Sequence, residues 1–562
     1  MITPKTLATK HYLSILLVLA SLPILDKADA KTPLVKSSVL VAEHTLQGQN
    51  FQLTQVTLWD RTDRHDELVR TKTQRIADNK TRTLTGSIFV VENILDHHGL
   101  IFIRQSPMPN SRPLRPELDI KLQKQQNHLI IKLYRADYEQ EKGLWHVIPF
   151  QGGAFERICA LQTWQRSLRP DTPLYRIPRF VTNTWGDRSR DSRITEQFII
   201  KEIEAASEIG ADVVRIDDGW QAGLSGNSAF KGKVKTKGLT GFWGVSGSFW
   251  NVNQERFPNG LKPLLDKAKE KGIEIGLWYA PDSENELANW EKDADTILKL
   301  HKTYGIRFFK IDGLDIQTPL AQTRVNQLLS RVMKQSNNEI LLMMDITGNH
   351  KRPGFLGAIP YGNLYVQNRY TDWGKYWPHR TLRSLWRLSH WVNPGRLRFE
   401  TLNNTRRTDH KRYQNNPLAP ANYPADYLFA SVMMSNPLGF YEASNLPEEY
   451  RAKLIPLVKV WRQHRQAIFE ANIIPIGQEP SGHSWTGFMT VTENNKAVYL
   501  LCLKEFTETD HYTYKLPVDI SRNHKLITLY GTGKATITDR DLSVIIKGSP
   551  KYLFMKIEQD IH

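Results

Sequence analysis

Between residues 179 and 444 the sequence repeats one unit: a short apolar run, then a segment of helical period. The runs are "RFVTNTW" (179–185), "ADVVRIDDGW" (211–220), "IEIGLWYAPD" (273–282), "RFFKID" (307–312), "EILLMMD" (339–345), "NLYVQNRYTDW" (363–373) and "NPLGFYEAS" (436–444). Between them, segments such as "TEQFIIKEIEAASEIG" (195–210) place Ile199, Ile203 and Ala206 on one helical face. Strands alternating with helices predict parallel βα units, and this many of them predict a (β/α)8 barrel. The runs also share an ending: Asp217 and Asp218, Asp282, Asp312, Asp345 and Asp372 follow five of them. One aspartate after one strand is turn chemistry. Five such endings predict a ring of carboxylates at the C-terminal face, where barrels of this kind build their sites.

The flanks differ. Residues 31–175 carry short alternating β-type runs, such as "NHLIIKLYRAD", and predict a β-sandwich-like domain. The barrel is expected over 176–468, with a last helix at 445–468, and a small β domain over 469–562. With 562 residues, more than one domain is required. At the start, Lys5 and Lys10 precede the apolar run "YLSILLVLASLPIL", and "ADA" follows at 28–30. That order predicts a secretory signal peptide over about residues 1–30, hence an exported, periplasmic or secreted protein with no stable membrane insertion. Cys159 and Cys502 are the two cysteines, and no Cys/His cluster has metal-ligand spacing, so neither a metal nor another cofactor is expected.

A net charge of +17 would favour nucleic acid in a cytosolic chain. Export argues against that partner, and no recognition-helix or zinc motif is present. Part of the excess is local: residues 369–412 hold eleven Lys and Arg against three Asp and Glu. An anionic glycan is the partner such a stretch would attract, and a solvated basic face is the plainer explanation.

Carboxylates and tryptophans around one pocket, with no phosphate loop, point to glycosidic chemistry. Retaining glycosidases need one carboxylate as nucleophile and another as acid/base. In "FFKID", Lys310 and Asp312 are two residues apart, so a strand presents both on one face. The lysine then favours the ionised carboxylate that a nucleophile requires. Trp185, Trp220 and Trp278, near the ends of the first three runs, are expected to wall the pocket.

"VVRIDDGWQ", "NQERFPNGLKPLLDKAKEKGIEIGLWYAPD" and "FFKID", in that order over about 100 residues, resemble glycoside hydrolase family 36, the α-galactosidases, and the related family 27. The resemblance implies Asp312 as nucleophile and Lys310 as a substrate-contacting lysine. It implies Asp217 and Asp218 as the pair holding hydroxyls of the terminal sugar, with Trp278 as an aromatic at the substrate wall. It implies an acid/base after the sixth strand, for which Asp372 fits, with Arg369 and Asp345 as further substrate contacts. The chain departs from the family in "GLD" after the nucleophile strand, in "QNRYTDW", and in "DITGNHKRPG" after the fifth strand. Kept machinery with altered walls predicts a retaining α-glycosidase, α-galactose being the leading sugar and oligo- or polysaccharide the substrate. Transglycosylation, another sugar (an anionic or sulfated one included), and a glycan-binding protein without turnover are the alternatives.

Overall fold

A computed structural model describes residues 38–58, 68–105, 118–136, 145–230, 232, 235–346, 355–356, 360–366, 369–520 and 524–559. The expected signal peptide lies outside them. Among the described residues, no helix is long and apolar enough to cross a membrane.

Eight parallel strands close into a barrel: β1 (Val181–Asn183), β2 (Val213–Ile216), β3 (Glu274–Tyr279), β4 (Phe308–Ile311), β5 (Leu341–Asp345), β6 (Gly362–Tyr365), β7 (Leu397–Thr401) and β8 (Asn436–Gly439). The expected (β/α)8 architecture is present. Seven strands follow the apolar runs; β7 does not. Its "LRFET" alternates Leu397 and Phe399, which join the apolar shell outside the barrel, with inward-facing Arg398 and Glu400. A strand whose interior side chains are charged shows no apolar run, though every residue of it is buried. The sixth run also ends earlier than its sequence suggests, since β6 stops at Tyr365 and Asp372 lies in the turns that follow.

The period-2 alternation of parallel strands sorts side chains between two environments. Val214, Ile216, Leu277, Phe309, Ile311, Leu342 and Met344 pack outward against the helices. Val181, Val213, Phe308, Leu341, Met343, Tyr365 and Leu438 fill the interior. Arg215 and Arg398 join them there, wholly enclosed. Arg398 donates to the Arg179 and Pro437 carbonyls at 3.1 and 3.0 Å, and Arg215 approaches the Met343 sulfur at 2.8 Å. Burial pulls the Arg215 guanidinium down to about 10, outweighing the upward pull of Asp217.

Before the barrel, a five-stranded and a four-stranded antiparallel sheet form the expected sandwich. Strand Ile88–Asn93 is central to it. Phe89 and Val91 fill the space between the sheets, while Ile88 and Val90 join the core shared with the barrel. Helix Ala154–Ser167 then ties three parts together through two buried glutamines. Gln162 donates to Ile473 O at 2.8 Å and accepts from Ile473 N at 2.9 Å, and Gln165 donates to Trp391 O at 2.9 Å. After the helix Glu448–Glu470, the chain closes in a five-stranded and a three-stranded sheet around their own core. Cys502 belongs to that core, and Cys159 packs at its edge; both thiols are free.

Candidate active site

Four strand ends meet at Lys310. Its ammonium lies 3.0 Å from Asp217 Oδ2 and 3.6 Å from Asp312 Oδ2, with its side chain 5 % exposed. Burial pulls the lysine pKa down, but Asp217, Asp312 and Asp345 pull harder in the other direction, so the net shift is upward. The lysine is a fixed positive charge between carboxylates from β2, β4 and β5. Asn183, at the end of β1, donates to the same Asp217 oxygen at 2.8 Å, and its Oδ1 accepts from Trp185 N at 2.9 Å.

Asp312 is held on both oxygens. Trp278 Nε1 donates to Oδ2 at 3.2 Å, and Gly313 N donates to Oδ1 at 2.7 Å. The second bond depends on Gly313, whose φ of 70° lies in the left-handed region. A Cβ there would also sit 2.9 Å from that of Leu239. The "GLD" departure therefore has a local reason: the glycine turns its N–H back onto the carboxylate. Asp312 keeps 13 % of its side chain exposed, more than Lys310 or Asp217, so it is the member of this triad that faces the mouth.

Trp278 is itself held from behind. Trp220 is wholly buried and donates from Nε1 to the Trp278 carbonyl at 2.8 Å. Trp250 packs 5.6 Å from Trp278 and stacks on Tyr279 at 4.1 Å. Trp220 thus backs Trp278, whereas Trp185 lies among the interior side chains, 8 % exposed.

Other strand-end carboxylates organise loops. Asp218 accepts from Gln221 Nε2 at 2.7 Å and from the Ser225 hydroxyl, and burial pushes its carboxyl up to about 7. Asp282 accepts from the Gly241 and Trp243 amides at 2.7 and 3.3 Å, pinning the long β2–β3 connection. Asp345 is 2 % exposed and close enough to Lys310 to affect it.

The segment carrying Asp372 crosses the mouth from the β6 side. A chain of contacts joins it to the triad. Lys310 lies 5.8 Å from the Phe440 ring, Phe440 lies 5.6 Å from Tyr370, and the Tyr370 face carries the Arg188 guanidinium at 4.3 Å. Arg188 donates from Nε to Asp372 Oδ2 at 3.2 Å. Asp372 Oδ1 is buried with no hydrogen-bond partner among the described residues. Beneath this segment, Glu400 at the end of β7 accepts from Arg369 N at 3.2 Å. It is wholly buried, which pushes its carboxyl up to about 8.

Sequence reasoning missed Glu400 and Arg188. Glu400 was reachable through the alternation in "RLRFET"; Arg188, in the polar loop "WGDRSRDS", carries no periodic signal.

The melibiase family model matches residues 176–340, β1 through the helix before β5. Over that stretch, less than a third of the chain, the sequence is similar to the melibiases. An α-galactosidase of Escherichia coli is 30 % identical over 127 residues, 22 % of this chain and 15 % of that one. AgaA of Geobacillus stearothermophilus is 29 % identical over 119 residues, 19 % of this chain and 14 % of that one. These alignments therefore span only a small part of each curated relative. The fold likeness is broader. The family 36 α-galactosidase AgaA superimposes with a TM-score of 0.61 at 11 % identity, covering 92 % of this chain and 76 % of that one. The galactosidase domain of the α-galactosidase–sucrose kinase AgaSK gives 0.62 at 12 %, covering 92 % and 75 %. Variants of AgaA have been solved with stachyose and with raffinose.

Proposed function

We propose that this protein is an exported retaining α-glycosidase that releases terminal α-galactose from oligo- or polysaccharides. One observation carries the reading. Lys310 bridges Asp217 and Asp312, while Trp278 and Gly313 fix Asp312 at the mouth. A carboxylate held ionised by a buried cation, oriented on both oxygens and still open to the pocket, is built to attack. Asp312 attacks the anomeric carbon while Asp372 gives its proton to the departing glycosidic oxygen. The bond to the leaving sugar breaks as the bond to Asp312 forms. Asp372, now a carboxylate, takes a proton from water, and that water displaces Asp312 from the sugar. In this reading Asp217 and Lys310 hold sugar hydroxyls, with Trp278, Trp185 and Arg369 as further contacts. The "YLSILLVLASLPIL" run and "ADA" support export.

A second reading, an anionic glycan as substrate, has a narrower basis than eleven cations. Arg369, Arg396 and Arg398 are buried, and Arg387 pairs with Glu479. Arg407, Lys411 and Arg412 do face solvent. Their loop packs on the Asp372 segment, where Tyr413 Oη accepts from Tyr376 N at 3.2 Å and a Cβ on Gly374 (φ 61°) would meet His410 at 2.2 Å. Their nearness to the Asp372 segment supports that second reading.

The test is a panel of aryl α- and β-glycosides with the wild type, Asp312→Asn and Asp372→Ala. The account expects turnover of the α-galactoside, near-complete loss in Asp312→Asn, and a loss in Asp372→Ala that is far heavier for poor leaving groups. Added azide should restore Asp372→Ala on the activated substrate and give a galactosyl azide of retained configuration. No turnover by the wild type on any member would favour a glycan-binding protein instead.

A further inference from the structure

We infer that Arg188 is a positioning residue for the acid/base, and that its guanidinium, clamped by Tyr370 and Trp373, aims the Asp372 carboxyl at the glycosidic oxygen. The inference rests on the assignment of Asp372 above. Arg188 belongs to the loop after β1, three strands round the closed barrel from β6. Its φ of 67° is unusual for a residue with a side chain and persists only where the surroundings hold it. The surroundings are two rings, with the guanidinium carbon 4.3 Å from the Tyr370 centroid and 4.8 Å from that of Trp373. The rings meet edge to face at 4.6 Å. Nε is thereby aimed at Asp372 Oδ2, 3.2 Å away, and the side chains of the pair are 14 % and 25 % exposed. A cation so placed fixes the carboxylate's direction.

The two half-reactions need Asp372 in opposite states. In the first, the proton leaves Asp372 for the glycosidic oxygen and a carboxylate remains beside Arg188. In the second, that carboxylate accepts the proton of water. Arg188 keeps the carboxyl aimed in both.

Other groups face this site as well. Tyr413, from the 405–413 loop, feels Asp372, Arg412 and Arg369, and Tyr370 feels Arg188, Asp217, Glu400 and Asp312. Lys375 lies 4.9 Å over the Trp373 ring. Of the cations, Arg188 is the one in hydrogen-bond contact with Asp372 among the described residues.

The experiment compares kcat/KM for wild type, Arg188→Gln, Arg188→Lys and Trp373→Leu on 4-nitrophenyl α-galactoside and raffinose, with a melting curve for each. Arg188→Gln should lose about tenfold more rate on raffinose than on the aryl glycoside, because raffinose depends on a well-aimed proton. Trp373→Leu removes one ring of the clamp and should show the same selectivity to a smaller degree. Arg188→Lys keeps the charge and should recover most of the raffinose rate. Equal losses on the two substrates in a folded Arg188→Gln enzyme overturn the inference while leaving Asp372 in place. If Asp372→Ala shows no selective loss on poor leaving groups, the acid/base assignment falls, and this inference with it.

Discussion

Replacing Lys310 by Met removes the one cation between two carboxylates and leaves a side chain that fits an apolar stem. At 3.6 Å and an effective dielectric near 20, the attraction between Lys310 and Asp312 is about 4 to 5 kcal/mol. Much of that offsets the cost of burying the ammonium, which is the first influence on its pKa. Carboxylates beside a cation typically gain 1–3 pH units of ionised range, or about 1.4–4 kcal/mol. Because Asp312 must be ionised to attack, Lys310→Met should move the acid limb of kcat/KM upward by about 1–2 units. The sign for stability follows from the same pair. Lys310 has a folded pKa raised above its ordinary value, so its contribution is complete below about 10.4 and persists across the whole neutral range. Its loss should cost about 3–5 kcal/mol near pH 8, where Asp217 and Asp312 are left charged and facing each other. The assay is kcat/KM on an aryl α-galactoside across pH, with urea unfolding near pH 8, for variant and wild type. An acid limb that coincides with that of the wild type, or an unchanged stability, would refute the claim that Lys310 anchors the carboxylates around it.

Glu400→Gln should flatten the alkaline loss of stability. The buried carboxyl is pushed up to about 8, so the folded state keeps a proton that the unfolded chain has released, and stability declines as pH rises from about 4 to about 8. Glutamine mimics the protonated form, so the fall in melting temperature between pH 6 and pH 9 should be smaller than in the wild type; an equal fall contradicts it. Asp218, with its carboxyl near 7, shares the window and keeps the slope from vanishing. If the substrate is an anionic glycan, kcat/KM should fall steeply with salt, since exposed charges are screened beyond about 8 Å at physiological ionic strength. Neutralising Arg407 and Lys411 together should flatten that curve and leave the rate on a neutral aryl glycoside unchanged. Matching salt curves for charged and neutral substrates would end the anionic reading.

Much of the architecture was legible because parallel barrel strands are buried on both faces and so read as apolar runs. β7 escaped because Arg398 and Glu400 occupy its interior positions, which puts charge where a run should be. "FFKID" was legible for a stronger reason: period 2 on a strand is enough to put Lys310 and Asp312 on one face. The strand-end aspartates were legible as a set but not one by one. Asp218 and Asp282 take their hydrogen bonds from the β2–β3 connection, and nothing local in sequence says which aspartate will serve a loop and which the pocket. Arg188 lay beyond reach, because its contact with Asp372 spans 184 residues and depends on how two loops meet across the mouth.

The central claim is that Asp312 becomes covalently bonded to the sugar. Incubation with a slow fluorinated α-galactosyl fluoride, followed by proteolysis and mass mapping, tests it directly. The account predicts one fluorosugar per chain on the peptide containing "FFKIDGLD", with the label absent from Asp312→Asn. A label on a different carboxylate, or galactose released with inverted configuration and no labelled peptide at all, would contradict it.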